Sequence, residues 1–132
     1  MNAETRAWLG YAAENLQTAT LCLQNGLVNP CLQNAQQAVE KALKGLCLVR
    51  GLPLRRTHSI GGLRAQILAA GANCGVDNDE CDLLDSIYLP SKYPLGSILP
   101  HFEPSEAMAK QCLAIAERVV RDATQQADEV GT

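Results

Sequence analysis

The run from Gln36 to Lys44, Gln-Gln-Ala-Val-Glu-Lys-Ala-Leu-Lys, constrains this chain more than any other stretch. Its residue types favour a helix. Around it, Ala35, Val39, Ala42, Leu46 and Val49 recur at the spacing that packs one stripe of a helix on a core. Gln37, Lys41 and Lys44 stand at i, i+4 and i+7, and so share a second face. The expectation is a helix that buries one side and shows two ammonium groups and an amide on another. Such donors suit an anionic partner, phosphate above all.

The helical signal extends along most of the chain. A first helix is predicted from about Ala3 to Asn25, capped by Asn2 and stopped by Gly26, with Trp8, Ala12, Leu16, Ala19 and Leu23 as its apolar stripe. Asn29-Pro30 reads as an N-cap followed by proline at the first helical position, opening a second helix that ends at Gly51. The short link makes these two helices antiparallel neighbours. Ser59 caps a third helix through Ala70, with Ile60, Leu63 and Ile67 facing in. A short fourth helix runs from Asp79 to about Tyr88. Pro90 to Pro104, with four prolines, is predicted to be irregular. A fifth helix starts near Ser105 and runs to about Gln126, with fraying beyond it. The fold class is therefore all-α. It is an up-down helical bundle with two long antiparallel N-terminal helices, shorter middle helices and a long C-terminal helix, forming one domain over 1–132.

Hydrophobic residues make up 47% of the 132, enough to fill one core. No apolar stretch reaches the ~20 residues that span a bilayer. The N-terminus lacks the order of a signal peptide, so a cytoplasmic protein is expected. None of the six cysteines (Cys22, Cys31, Cys47, Cys74, Cys81, Cys112) forms a C-x-x-C pair, which argues against a zinc site. They read as reduced structural thiols, with Cys74 and Cys81, flanking a loop, as the candidates for redox chemistry. No metal or cofactor is expected.

The net charge of −3 is unevenly distributed. Six bases and no acid lie between Lys41 and Val76, whereas five acids and no base lie between Asp77 and Asp85. Such blocks form solvated faces, bind each other, or, for the basic one, hold a phosphate backbone or nucleotide. The pI near 5.3 argues against a dedicated sequence-independent nucleic-acid binder. Candidate ligand residues are Lys41, Lys44, Arg55, Arg56 and His58, with Tyr88, Lys92 and Tyr93 in the proline-rich turn, where tyrosine could stack on a base. His58 is the one candidate general base; the competing reading is that it fixes its own turn. Glu40 and Glu14 are candidate partners for the lysines. The Ala-rich stripes of the first two helices allow a homodimer.

Taken in order, these segments resemble the HEPN domain family (higher eukaryotes and prokaryotes nucleotide-binding). Trp8 with Ala12 to Leu23 looks like that family's first helix, and Gln36 to Lys44 like its hallmark second helix. Arg56-Thr57-His58-Ser59 with Leu63 looks like the turn into its third helix, Tyr88 to Pro94 like its tyrosine-rich turn, and Ala107 to Val120 like its last helix. The resemblance implies a helical module that binds a nucleotide or RNA, or pairs with a minimal nucleotidyltransferase as in a toxin–antitoxin system. Where the family often has Arg-Tyr-Pro-Asp, this chain has Lys92-Tyr93-Pro94-Leu95, which lacks the planar guanidinium fork and the carboxylate. Ribonuclease members carry an Arg shortly before a His, at a spacing that neither His58 nor His101 reproduces. The resemblance therefore points away from catalysis. The alternatives are a metal-free ribonuclease toxin with a composite dimer site, using Arg55 or Arg56 with His58, and a non-catalytic helical adaptor.

Overall fold

A computed structural model describes residues 1–92 and 104–131, and the side chains of 1–88 and 104–130. Five helices follow one another: α1 (Ala3–Gln24), α2 (Val28–Val49), α3 (Ile60–Ala69), α4 (Asn78–Lys92) and α5 (Glu106–Gly131). Among the described residues there is no strand, as the all-α reading requires. No helix there is long and apolar enough to cross a membrane.

Local chemistry sets the helix ends. Asn2 accepts from Thr5 N at 2.8 Å, and Ser105 accepts from Met108 N at 3.1 Å. α1 closes by the paired bonds Leu27 N to Cys22 O and Gly26 N to Leu23 O. α2 closes the same way, through Leu52 N to Cys47 O and Gly51 N to Leu48 O. Both closures need a left-handed residue at the same place, and Gly26 and Gly51 supply it at φ +72°. Three expected boundaries differ. α2 begins at Val28, with Leu27 at the cap position and no side-chain cap, so Asn29 and Pro30 lie inside its first turn. Proline is tolerated there because that N–H has no helical partner. α4 begins one residue before the predicted Asp79 and runs to Lys92, so Tyr88 sits on a helix rather than in a turn, and Pro90 occupies the last turn. α5 extends past Gln126 to Gly131. Residues 93–103, with Tyr93, lie outside the described residues, as does the side chain of Lys92.

α2 is the central element. It packs most extensively on α1, then on α5, and also meets α3 and α4. Its predicted stripe of Ala35, Val39, Ala42 and Leu46 is fully buried, but so are Cys31, Leu32, Ala38, Leu43 and Cys47 on other faces. A helix buried on several of its faces belongs in the middle of a bundle. Gly45 lets α1 approach closely: a methyl group there would stand 2.9 Å from Leu9 Cδ2. Ile60, Leu63 and Ile67 of α3, Leu84 and Ile87 of α4, and Cys112, Ile115, Val119 and Ala123 of α5 complete the core.

The central place of α2 corrects the amphipathic picture. Its buried polar side chains are Gln36, Glu40 and Lys44, at i, i+4 and i+8, and they form a single ridge. The expected grouping of Gln37, Lys41 and Lys44 is split, because Lys44 belongs to this ridge and is only 7% exposed. The Ala-rich stripe of α2 is likewise spent on the core of the monomer.

Candidate functional site

The polar ridge of α2 meets the loop that leads into α3. Glu40 is buried and uses both carboxylate oxygens. Lys44 Nζ donates to Oε2 at 3.1 Å, and Oε1 lies 3.1 Å from His58 Nδ1. A carboxylate only accepts, so Nδ1 carries the hydrogen here, and in the neutral ring Nε2 is the acceptor. Gln36 Nε2 donates to His58 O at 3.5 Å, and Gln37 Nε2 donates to Gln36 Oε1 at 2.7 Å. The imidazole stacks on Tyr88 of α4, with ring centroids 4.6 Å apart and planes inclined by 16°. Even so, 57% of the His58 side chain is exposed. The ring is thus held on one edge and one face while remaining open to a ligand.

The turn around His58 is built as a helix cap. Thr57 Oγ1 accepts from Ser59 N at 3.0 Å, and Ser59 Oγ accepts from Gly62 N at 3.0 Å. The remaining donors of the first turn, Ile60 N and Gly61 N, go to the Asp85 carboxylate on α4, at 2.7 and 3.1 Å. All four amides that a helix start leaves without a helical acceptor therefore have side-chain partners. Thr57, Ser59 and Asp85 fix this turn, whereas the competing reading had the His58 side chain bond backbone; its Nδ1 faces Glu40 instead, and the turn presents the imidazole.

The block of six bases does not form one patch. Lys41 Nζ donates to Asn15 Oδ1 on α1 at 2.7 Å and lies 5.9 Å from the centre of the Tyr11 ring. Lys44 Nζ, paired with Glu40, lies 5.3 Å from the centre of the Trp8 ring. Arg50 bonds Gln126. Arg64 bonds Val76 O and Asn78, at 2.9 and 2.6 Å. Arg55 and Arg56 are exposed in the loop that carries His58, and no side-chain hydrogen bond or ion pair holds them among the described residues. The structure thus joins Lys44, His58 and Tyr88 from the predicted set and adds Glu40 as their anchor. It takes Lys41 to α1. Glu14, the other acid considered for the lysines, forms no ion pair among the described residues.

Sequence reading missed two acids. Asp85 is the acceptor described above. Glu80 closes a reciprocal cap: Glu80 N donates to Asp77 Oδ1 at 2.8 Å, and Asp77 N donates to Glu80 Oε1 at 3.0 Å. The Asp77-x-x-Glu80 spacing was the available signal for that helix start.

All six cysteines are free. Burial pushes the Cys112 thiol up to about 12 and the Cys81 thiol up to about 11. Burial also raises Cys31, Cys47 and Cys74. Cys81 lies on α4 rather than beside a loop, and neither it nor Cys74 has the lowered thiol of a redox centre. We expect native protein at pH 8 to leave Cys81 and Cys112 unalkylated by iodoacetamide, since a thiol titrating near 11 is ionised in only about one molecule in a thousand there. Unfolding in urea should release both, and rapid labelling of Cys112 in the native state would show that α5 does not pack as described.

Fold and site together define an all-α bundle that displays a carboxylate-anchored imidazole beside its central helix. The chain belongs to the HEPN domain family, whose model matches residues 5–126. Among solved structures it is similar to TT1696 from Thermus thermophilus, with 31% identity, a TM-score of 0.79, and 96% of this chain and 99% of that one covered. It is also similar to ST0689, an archaeal HEPN homologue, with 24% identity, a TM-score of 0.71 and the same coverage. No curated protein sequence matches.

Proposed function

We propose that this HEPN domain binds a nucleotide or a single-stranded stretch of RNA, with His58 and Tyr88 meeting a base and Arg55 and Arg56 meeting phosphate. The observation that carries the reading is the His58–Tyr88 stack, held by buried Glu40 yet more than half open at His58. A base stacked on an aromatic ring gains about 1–3 kcal/mol. The guanidinium groups suit phosphate, and their positions three and two residues before His58 keep them near the stack. Lys44 serves indirectly, through Glu40. Lys92 and Tyr93 stay in the proposed ligand set on sequence grounds alone. Titration of ATP and GTP by calorimetry should give saturable heat, and the Arg55→Ala/Arg56→Ala variant should bind at least about tenfold more weakly, since a bond to a charged group contributes about 1.5–3 kcal/mol. No heat from either nucleotide or from a short single-stranded RNA would contradict the reading.

The Glu40–His58 pair favours one second reading, metal-free RNA cleavage. Glu40 would hold the ring and His58 Nε2 would take the proton of a ribose 2′-hydroxyl. Arg55 or Arg56 from a second copy would steady the phosphorane. RNA left intact by the pure protein removes this alternative and leaves binding. A nucleotidyltransferase partner and a homodimer belong to the same proposal. With α2 committed to the core, Tyr11 and Leu21 of α1 are exposed apolar groups that self-association could use.

A further inference from the structure

α4 touches the His58 turn at two points one helical turn apart: Tyr88 stacks on the imidazole, and Asp85 receives the turn that follows it. Asp85 Oδ1 accepts from Ile60 N at 2.7 Å, while Oδ2 accepts from Gly61 N at 3.1 Å and lies 3.4 Å from Ser59 Oγ. These are the first residues of α3, and they follow His58 directly in the chain. At i and i+3, Asp85 and Tyr88 share one face of α4, so fixing the first fixes the height of the second against the imidazole. A carboxylate on helix-start amides is also favoured by the positive end of the helix. The carboxylate comes from a different helix, which makes it a tie between α3 and α4 and not a local cap.

We infer that Asp85 is a positioning residue for His58, acting by locking α4 to the start of α3 so that the Tyr88 ring stays stacked on the imidazole. Its bearing on ligand binding rests on the function proposed above; its bearing on ring geometry does not. Without the carboxylate, the amides of Ile60 and Gly61 turn to water, and although Leu84 and Ile87 keep α4 on the core, its register against the start of α3 is no longer fixed. His58 then keeps its Glu40 contact but loses a ring held over one face, and the exposed side chain samples more rotamers.

The test reads the His58 ring C–H protons by NMR, with a His58→Gln spectrum separating them from those of His101. In the parent protein they should carry an upfield ring-current shift, and Tyr88→Ala should remove it. Asp85→Ala should remove it as well, and Asp85→Asn, whose single carbonyl oxygen can accept from only one of the two amides, should diminish it, with helical circular dichroism retained. Asn2→Ala, which deletes a cap bond on α1, should leave it unchanged and so separates positioning from mere loss of stability. If Asp85→Ala fails to fold, the isosteric Asp85→Asn decides. A parent-like His58 shift in Asp85→Asn overturns the inference, as does an equal loss in Asn2→Ala. In a second arm, ATP should bind Asp85→Asn about tenfold more weakly than the parent. Failure of ATP to bind the parent would overturn the proposed function alone, because the ring-current arm uses no ligand.

Discussion

Glu40→Ala should lose about 3–5 kcal/mol of folding stability in a urea titration, a cost typical of breaking a buried ion pair on one side. Glu40 and Lys44 side chains are only 4% and 9% exposed, so removing the carboxylate strands an ammonium group inside the bundle. The Trp8 ring 5.3 Å away offsets only part of that loss. Against the roughly 5–15 kcal/mol typical of whole domains, this single change would leave the fold marginal. Replacing both partners, as Glu40→Leu with Lys44→Leu, should restore most of the stability, because the desolvation penalty disappears with the charges. The double variant should nonetheless fail to hold His58. Stability without imidazole order would show that this pair is kept for the site. A Glu40→Ala variant as stable as the parent would contradict the buried pairing.

Gly45→Val should destabilise the bundle by about 3 kcal/mol, the upper end of overpacking effects. The α1–α2 contact is the most extensive among the described residues, and at Gly45 the first added carbon would already lie 2.9 Å from Leu9 Cδ2 and 3.1 Å from Leu9 Cγ. Leu9 is itself buried, so it has little space to turn into. The two further carbons of valine widen the gap between the helices at the level of Trp8, and the Trp8–Lys44 contact should loosen with it. The Trp8 fluorescence maximum should therefore move to the red along with a lower urea midpoint. An unchanged midpoint would mean that α1 and α2 stand farther apart than this packing allows.

Most of the fold was legible because helix punctuation is local. Asn2, Gly26, Gly51 and Ser59 act where sequence reading placed them, since each needs only its own few neighbours. Pro90 misled because a proline near a helix end forfeits one hydrogen bond and does not forbid the turn. Asn29-Pro30 misled because a helix can start without a side-chain cap where its first turn is exposed, as at Leu27, Asn29 and Pro30, and water can take the free amides. The site was only half legible. His58 and Tyr88 stand out as residue types, but the carboxylates that hold them, Glu40 and Asp85, lie 18 residues before His58 and 25 residues after Ile60. Periodicity carries no information about such pairings. The helical wheel also assigned Lys44 to a solvent face, because it could not show that α2 is surrounded by four other helices.

Calorimetric titration of ATP into two variants side by side tests the central claim most directly. His58→Ala removes the exposed ring, whereas Lys41→Ala removes an ammonium group already engaged by Asn15 and Tyr11. Loss of the binding heat in the first variant, with parent-like affinity in the second, is the predicted result. Full affinity in His58→Ala, or loss in Lys41→Ala alone, would contradict the account and return the ligand to the α1–α2 face.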